Sequence, residues 1–302
     1  MKNIFILIVL INTLLGQETP DGVLDISPGA ISQGLGEAMI AYTETADISY
    51  FNPAAMSFSN KNRISGSTMK WKPNFTTDLF HEFIAINYKI NDKYAIGGNL
   101  ILFNLGEQVG MDNHGNPTCN FYAYQAILSI NVSYRFSNSS SFGLTHKSFH
   151  EKVSYDEDGY QAFDISYFVQ KNNNLNTGFK IASISSNHSA PTMISWGLLK
   201  KVYYKGQNTI KALSQIDKHL RFNEEIIYKV GIEYNYSEKL FLRAGYMYGK
   251  QPGNLKLNNL TYGFGVRLLH YGFDFGHTLG NKDNIISRAG TNYFSIVITF
   301  NN

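Results

Sequence analysis

From about residue 61 onward the chain alternates apolar and polar positions with a period of two. Tyr262, Phe264, Val266 and Leu268 share one face, while Thr261, Gly263, Gly265 and Arg267 share the other. The next segment repeats this, with Tyr271, Phe273 and Phe275 set against Gly272, Asp274 and Gly276. The longest run puts Tyr122, Tyr124, Ala126, Leu128, Ile130, Val132, Tyr134 and Phe136 on one side. Residues i and i+2 lie on the same face of a strand, so each segment has one apolar and one polar-or-small face. The pattern predicts an all-β chain of about 14 strands. They span roughly 62–71, 79–90, 93–103, 119–136, 140–150, 159–170, 174–184, 191–203, 207–216, 220–235, 239–249, 259–268, 270–278 and 291–300.

The connections add independent information. After even-numbered strands they are short, as at Asn91-Asp92, Lys171-Asn172-Asn173 and Leu269; after odd-numbered strands most are longer, as at 72–78, 104–118 and 279–290. The ninth-to-tenth connection breaks this rule. Short turns at one end and long loops at the other are the pattern of an outer-membrane barrel, and an even strand count puts both chain ends at the short-turn end.

The beginning of the chain fits export. MKNIFILIVLINTLLG has a positive Lys2, an apolar run from Ile4 to Leu15 and a small Gly16 before Gln17. It predicts a signal peptide over residues 1–16, cleaved at Gly16–Gln17, because the run is short of the ~20 residues of a spanning helix. The single cysteine, Cys119, excludes an intramolecular disulfide. Charged residues are only 16% and aromatics 14%, which suits a surface facing lipid. A net charge of +3, with no basic patch interleaved with aromatics, gives no reason to expect nucleic acid as a partner.

The polar strand faces carry Lys229, Glu233, Arg243, Arg267 and Asp274 on neighbouring strands. In a barrel with lipid outside, that side is the lumen, where charges can pair. Tyr134, Phe136, Tyr234, Tyr236, Tyr246, Tyr248 and Phe300 sit near strand ends, as aromatic girdles do. The expected architecture is therefore a transmembrane antiparallel β-barrel over residues 61–302, with the lipid bilayer of a diderm outer membrane as its environment. A secreted soluble β-protein is the alternative reading of the same alternation.

Residues 17–60 do not alternate. Within GLGEAMIAYTETADISYFNPAAMSF, Asn52 is a good helix N-cap, Pro53 suits the first helical position, and Ala54-Ala55-Met56 can follow as a helical turn. Met39, Ile40, Ile48, Tyr50, Phe51 and Met56 are too apolar for a disordered tail. A compact segment folding back into the lumen as a hatch is the expectation, with Glu44 and Asp47 meeting Arg243 or Arg267.

This stretch resembles the N-terminal signature of the PorV/PorQ family, which is related to the FadL-type outer-membrane transporters. Gly36-Glu37-Ala38 with Ala41, then Ala46-Asp47, then Phe51-Asn52-Pro53-Ala54 occupy the places of that signature. Leu242-Arg243-Ala244-Gly245-Tyr246, Gly263-Phe264-Gly265-Val266-Arg267 and Phe273-Asp274 resemble the family's late strands. The resemblance implies a 14-stranded barrel with an N-terminal lumenal hatch. It also implies a non-enzymatic role in protein secretion or surface assembly of the type IX kind, with secretion-system components or secreted proteins as partners. The FadL side of the relationship implies instead a channel for hydrophobic small molecules, with such a ligand in the lumen. A structural porin-like barrel is the third reading.

Motifs for other chemistry are missing. There is no G-x-S-x-G and no H-E-x-x-H. His146 and His150 share a strand face without a cysteine or carboxylate in ligand spacing, and Asp156-Glu157-Asp158 reads as a solvated turn without the spacing of a calcium loop. No catalytic residue, metal or cofactor is expected.

Overall fold

The computed structural model describes residues 26–70, 79–112, 114–153, 156–185, 192–220, 226–251, 255–279 and 290–300. The leader 1–16, its cleavage site at Gly16–Gln17 and residues 17–25 lie outside this set. Fourteen strands form one closed antiparallel barrel in which each strand pairs with its sequence neighbours and the last returns to the first. They are β1 (Asn62–Lys70), β2 (Phe80–Lys89), β3 (Tyr94–Met111), β4 (Pro117–Arg135), β5 (Ser140–Val153), β6 (Asp156–Asn172), β7 (Leu175–Ile184), β8 (Met193–Lys205), β9 (Asn208–His219), β10 (Ile227–Tyr236), β11 (Leu240–Gln251), β12 (Leu255–Leu268), β13 (Tyr271–Leu279) and β14 (Thr291–Phe300). The closure runs from Asn62↔Phe300 to Met69↔Tyr293, so no edge is left for another strand.

Several boundaries differ from the sequence expectation, among them β12, which begins at Leu255 rather than at 259. The stretches 104–118 and 151–158 are largely strand: β3 and β4 continue to Met111 and from Pro117, while Asp156-Glu157-Asp158 pairs with Val153-Lys152-Glu151. These extensions are wet on both faces, so the one-sided alternation that marks a half-buried strand is lost there. Strand β10 begins at Ile227 rather than at 220, which lengthens the ninth-to-tenth connection to 220–226. With that change the connection no longer breaks the short-long alternation.

Outside, the barrel presents Leu128, Ile130, Leu144, Leu242, Phe264, Phe273 and Ile296, all exposed. Inside lie Asn99, Asn131, Lys147, Asp164, Lys211, Lys229, Glu233, Arg243 and Asp274, all buried. This is the reverse of a soluble protein and the required arrangement for a barrel in a bilayer, where the wall satisfies its own backbone and lipid replaces water outside. At the short-turn end Tyr94 stacks on Tyr134 at 5.1 Å, and Phe142 lies 5.0 Å from both Phe136 and Tyr167. A thiol reagent confined to lipid is expected to label Phe264→Cys and to spare Arg267→Cys and Asp274→Cys; labelling of both charged positions would reverse the assignment of inside and outside.

Residues 26–60 lie within the barrel. They contain two short helices, α1 (Ala30–Gly34) and α2 (Ile48–Phe51), and a 3-10 helix over Pro53–Phe58. Nearly all of them are buried, and their bonds run to inward-facing groups of the wall.

Candidate functional site

The inner segment is too short and irregular to satisfy its own backbone, and the wall supplies the missing partners. Ala30 N donates to Ser295 Oγ at 2.9 Å and Gly36 N to Thr261 Oγ1 at 3.1 Å. Ile40 N donates to Gln215 Oε1 at 2.9 Å. Ala54 N donates to Ser166 Oγ at 3.0 Å, and Ala54 O accepts from Ser141 Oγ at 2.6 Å and Ser133 Oγ at 3.0 Å. The small polar residues on the lumenal faces are thus the sockets for a foreign backbone.

Lumenal glycines set how closely that backbone approaches. A methyl group at Gly231 would lie 2.5 Å from Leu35 O, and one at Gly276 would lie 2.5 Å from Ala30 O. At Gly245, Gly178 and Gly143 it would overlap Gly36 N, Ile40 O and Ala54 N respectively. A strand glycine weakens its own strand, and a close backbone neighbour is one reason to keep it. Gly36 meets the wall from the other side: its φ is +59°, and a side chain there would strike Tyr246 N at 2.7 Å.

Asn52 occupies the N-cap position of the 3-10 helix and Pro53 its first turn, but the Asn52 side chain makes no cap. Its Nδ2 donates to Ile40 O at 2.7 Å and Tyr167 O at 3.4 Å. Asn52 therefore ties two turns of the inner segment together and to β6.

Three buried charge clusters surround the segment. In the first, Glu233 accepts from Arg243 Nε at 2.8 Å, Lys211 Nζ at 3.0 Å and the Tyr42 hydroxyl at 3.0 Å. Arg243 Nη1 continues to Asp274 at 2.7 Å, and Arg267 Nη2 reaches the same carboxylate at 2.8 Å. Both guanidinium groups stack over Phe241. In the second, Lys229 bridges Asp217 at 2.7 Å and Glu37 at 3.0 Å, and Glu37 also accepts from Ser27 and Gln33. In the third, Asp164 holds Lys147 at 2.8 Å and Lys180 at 3.7 Å, and Lys180 donates to Tyr50 O at 2.8 Å.

The structure therefore joins Glu233, Arg243, Arg267 and Asp274 in one chain and puts Lys229 in another. Glu44 and Asp47 do not meet Arg243 or Arg267. Glu44 pairs with Lys211 at 2.5 Å, and Asp47 accepts from Ser65 on β1. Arg243 uses Nε and Nη1 on Glu233 of β10 and Asp274 of β13, and Arg267 uses Nη2 on the same Asp274, so the arginines pair with carboxylates of the wall while the acidic residues of the segment bind other wall groups. Lys211, Asp217, Lys147, Asp164 and Lys180 were not among the residues singled out in the sequence. Their signal was alternation parity on β5, β6, β7 and β9, which becomes informative only once the register is known.

Arg243 and Glu233 have fully buried side chains. Arg243→Met leaves two carboxylates short of a cation and is expected to cost about 3 kcal/mol, the lower end for breaking a buried pair, because Lys211 and Arg267 remain. Urea unfolding of the protein in lipid vesicles measures this loss.

Toward the long-loop end the lumen divides. Phe83, Ile101, Ile127, Phe149 and Tyr160 form one row across β2 to β6 by register, and Phe103 and Met69 lie in the same apolar cluster. Beside them is a cavity of about 60 Å³ with a mixed lining, in which Lys147, Lys180, Lys229, Asp217 and His219 alternate with Ile40, Phe51, Met193 and Leu257, and to which Tyr50 also contributes. Such a volume holds a few waters, far below the ~300 Å³ of a ligand pocket. Tyr50 stands between the halves, edge-on to Phe83 at 6.1 Å with the Lys180 ammonium 5.3 Å from its ring. Among the described residues no cluster of three potential metal ligands occurs. His146 and His150 point outward, against Phe163 and Tyr124.

The fold has counterparts among solved structures. The Pseudomonas putida toluene transporter TodX aligns over 95% of this chain and 98% of its own at 13% identity and a TM-score of 0.62. The fold is that of the FadL-type barrels. The Ralstonia pickettii toluene transporter TbuX aligns over 90% of this chain and 97% of its own at 14% identity and a TM-score of 0.54. A Pseudomonas aeruginosa FadL homologue aligns over 95% and 99% at 9% identity and a TM-score of 0.52. No protein-family model matches the chain, and no curated protein matches it in sequence. At these identities the FadL-type likeness is one of fold.

Proposed function

We propose that the protein is a non-enzymatic channel of the outer membrane of a diderm bacterium that admits small hydrophobic molecules, with residues 26–60 as its hatch. The observation that carries this reading is the apolar row Phe83, Ile101, Ile127, Phe149 and Tyr160, placed inside the barrel where a water-filled pore has polar groups. Polar solutes gain nothing from such a surface, whereas a hydrocarbon entering from the long-loop end gains burial at about 25 cal/mol per Å². The small cavity means that passage requires the segment to shift. FadL-type barrels of the same fold, described as hydrocarbon channels or toluene transporters, support the reading. In cells lacking their own hydrocarbon channel, expression is expected to speed uptake of labelled toluene, and Phe149→Asp to remove the gain. Equal uptake with and without the protein would sink the proposal. The secretion role implied by the Gly36-Glu37-Ala38 and Asn52-Pro53-Ala54 motifs is the second reading; co-purification of secretion components or secreted proteins from native membranes tests it.

A further inference from the structure

The outward face of the wall carries a furrow over β9. There the outward side chains shrink to Ser214 and Ala212, between Leu198 and Lys200 on β8 and Val230 and Ile232 on β10. The flanking strands stand two strand spacings apart, roughly 10 Å, which is room for a stretch of one acyl chain between the taller side chains. Toward the middle of the wall Trp196, Ile216 and Tyr228 close the furrow. At its other end stand Lys200, exposed on the lipid-facing side, and the rings of Tyr203 and Tyr234 on either side of Ile210.

Further cations gather at that end. Lys200 lies opposite Leu175, the first residue of β7, and Lys201 N donates to Asn174 O at 2.8 Å, so both sit at the β6–β7 turn that carries Lys171. Lys205 stands at the tip of the β8–β9 hairpin. The two turns, 171–174 and 205–208, hold no Asp or Glu, and among the described residues no ion pair reaches any of these four lysines. Elsewhere at the short-turn end Lys61 and Lys89 do have acids beside them, Glu238 and Asp92. The two turns offer amide donors instead, from Asn172, Asn173 and Gln207. An apolar furrow thus ends among uncompensated cations where the strands leave the bilayer.

We propose that this place binds an anionic phospholipid of the leaflet at the short-turn end, with its phosphate held by Lys171, Lys200 and Lys201 and part of an acyl chain in the furrow. A phosphodiester accepts from several ammonium and amide donors at once, and its charge stands in for the missing carboxylates. The furrow suits a ligand that is apolar along its length and anionic at one end, which an acidic protein is not. Lipid is also the solvent of this face, so the ligand is present wherever the barrel is inserted. The inference rests on the barrel lying in a bilayer and is independent of what crosses its lumen.

The test uses the full chain in vesicles of equimolar phosphatidylcholine and phosphatidylglycerol, with one lipid or the other brominated in its acyl chains. A Trp71→Phe background leaves Trp196, at the end of the furrow, as the only tryptophan. Bromine quenches tryptophan at contact, so the ratio of the two quenching levels reads the lipid preference at this place. A preference for phosphatidylglycerol of about tenfold is expected, a scale that two or three lysines at a charged surface provide. Lys171→Gln, Lys200→Gln and Lys201→Gln together should bring it close to unity. Lys89→Gln, Lys93→Gln and Lys239→Gln, which remove the same charge elsewhere at the same end, should leave it in place. Ala212→Phe, which fills the furrow at unchanged charge, should lower it. Heat-modifiable migration confirms that each variant is folded. Equal quenching by both lipids, a preference that survives the first triple substitution, an equal loss in the second, no effect of Ala212→Phe, or lysine-dependent capture of an acidic protein in place of the lipid would each overturn the proposal.

Discussion

Deletion of residues 26–60 is expected to turn a closed barrel into a conducting pore. The wall does not need this segment to close, since β1 pairs directly with β14 over eight registered positions and every other strand pairs with its neighbours. What the deletion removes is the mass that fills the lumen, including α1, α2 and the 3-10 helix. What it leaves is a ring of inward-facing Lys, Arg, Glu, Asp, Ser and Asn side chains, which water can hydrate. In planar bilayers the full chain should pass little current and the deletion variant a sustained one. Heat-modifiable migration shows whether the variant barrel has formed. A folded deletion variant with unchanged conductance would remove the hatch from the functional proposal.

The second large effect is expected from one methylene-rich side chain placed on the wall. Gly245 lies against Gly36, and Gly36 is itself held in a left-handed conformation by the turn into Glu37. Neither backbone can give way alone: β11 is fixed between β10 and β12, and Gly36 N is bonded to Thr261. Gly245→Leu should therefore displace the segment rather than the wall, at a cost of about 1–3 kcal/mol for overpacking. The expected readout is leak current together with new protease sites between residues 26 and 60 in an otherwise intact barrel. Gly66→Leu on β1 is the matched control, because a side chain there meets open space. If both variants stay closed and protease-resistant, close backbone approach at Gly245 is not what seats the segment.

These two experiments bear on the same physical point. The segment is held by hydrogen bonds to Ser, Thr and Gln side chains, by glycine-permitted approach, and by ion pairs through Glu37 and Glu44. Hydrophobic packing joins these contacts: Ile31, Leu35, Met39, Ile40 and Phe51 cluster with Leu199 and Leu213 of the wall, Phe58 with Phe168, and Ile48 and Met56 with Ala95. A hatch of this kind moves only by exchanging polar and apolar contacts together.

Alternation by itself determined the strands, their number and the sidedness of the wall. The reason is that a strand has a fixed two-residue period, and lipid on one side with a polar lumen on the other writes that period into the sequence. Composition and the lack of alternation before residue 61 likewise marked the opening segment as something other than wall. Where both faces are wet, as on the extensions of β3 to β6, the period vanished and the strands read as loops. Which charges meet was decided by the tertiary structure alone. Glu44 finds Lys211 rather than an arginine because register and barrel closure set which side chains share a level, and no local pattern records that. The same holds for Gly245 and Gly36, 209 residues apart by their numbers. Each is unremarkable in its own stretch, and the contact between them exists only once the sheet has closed around the segment.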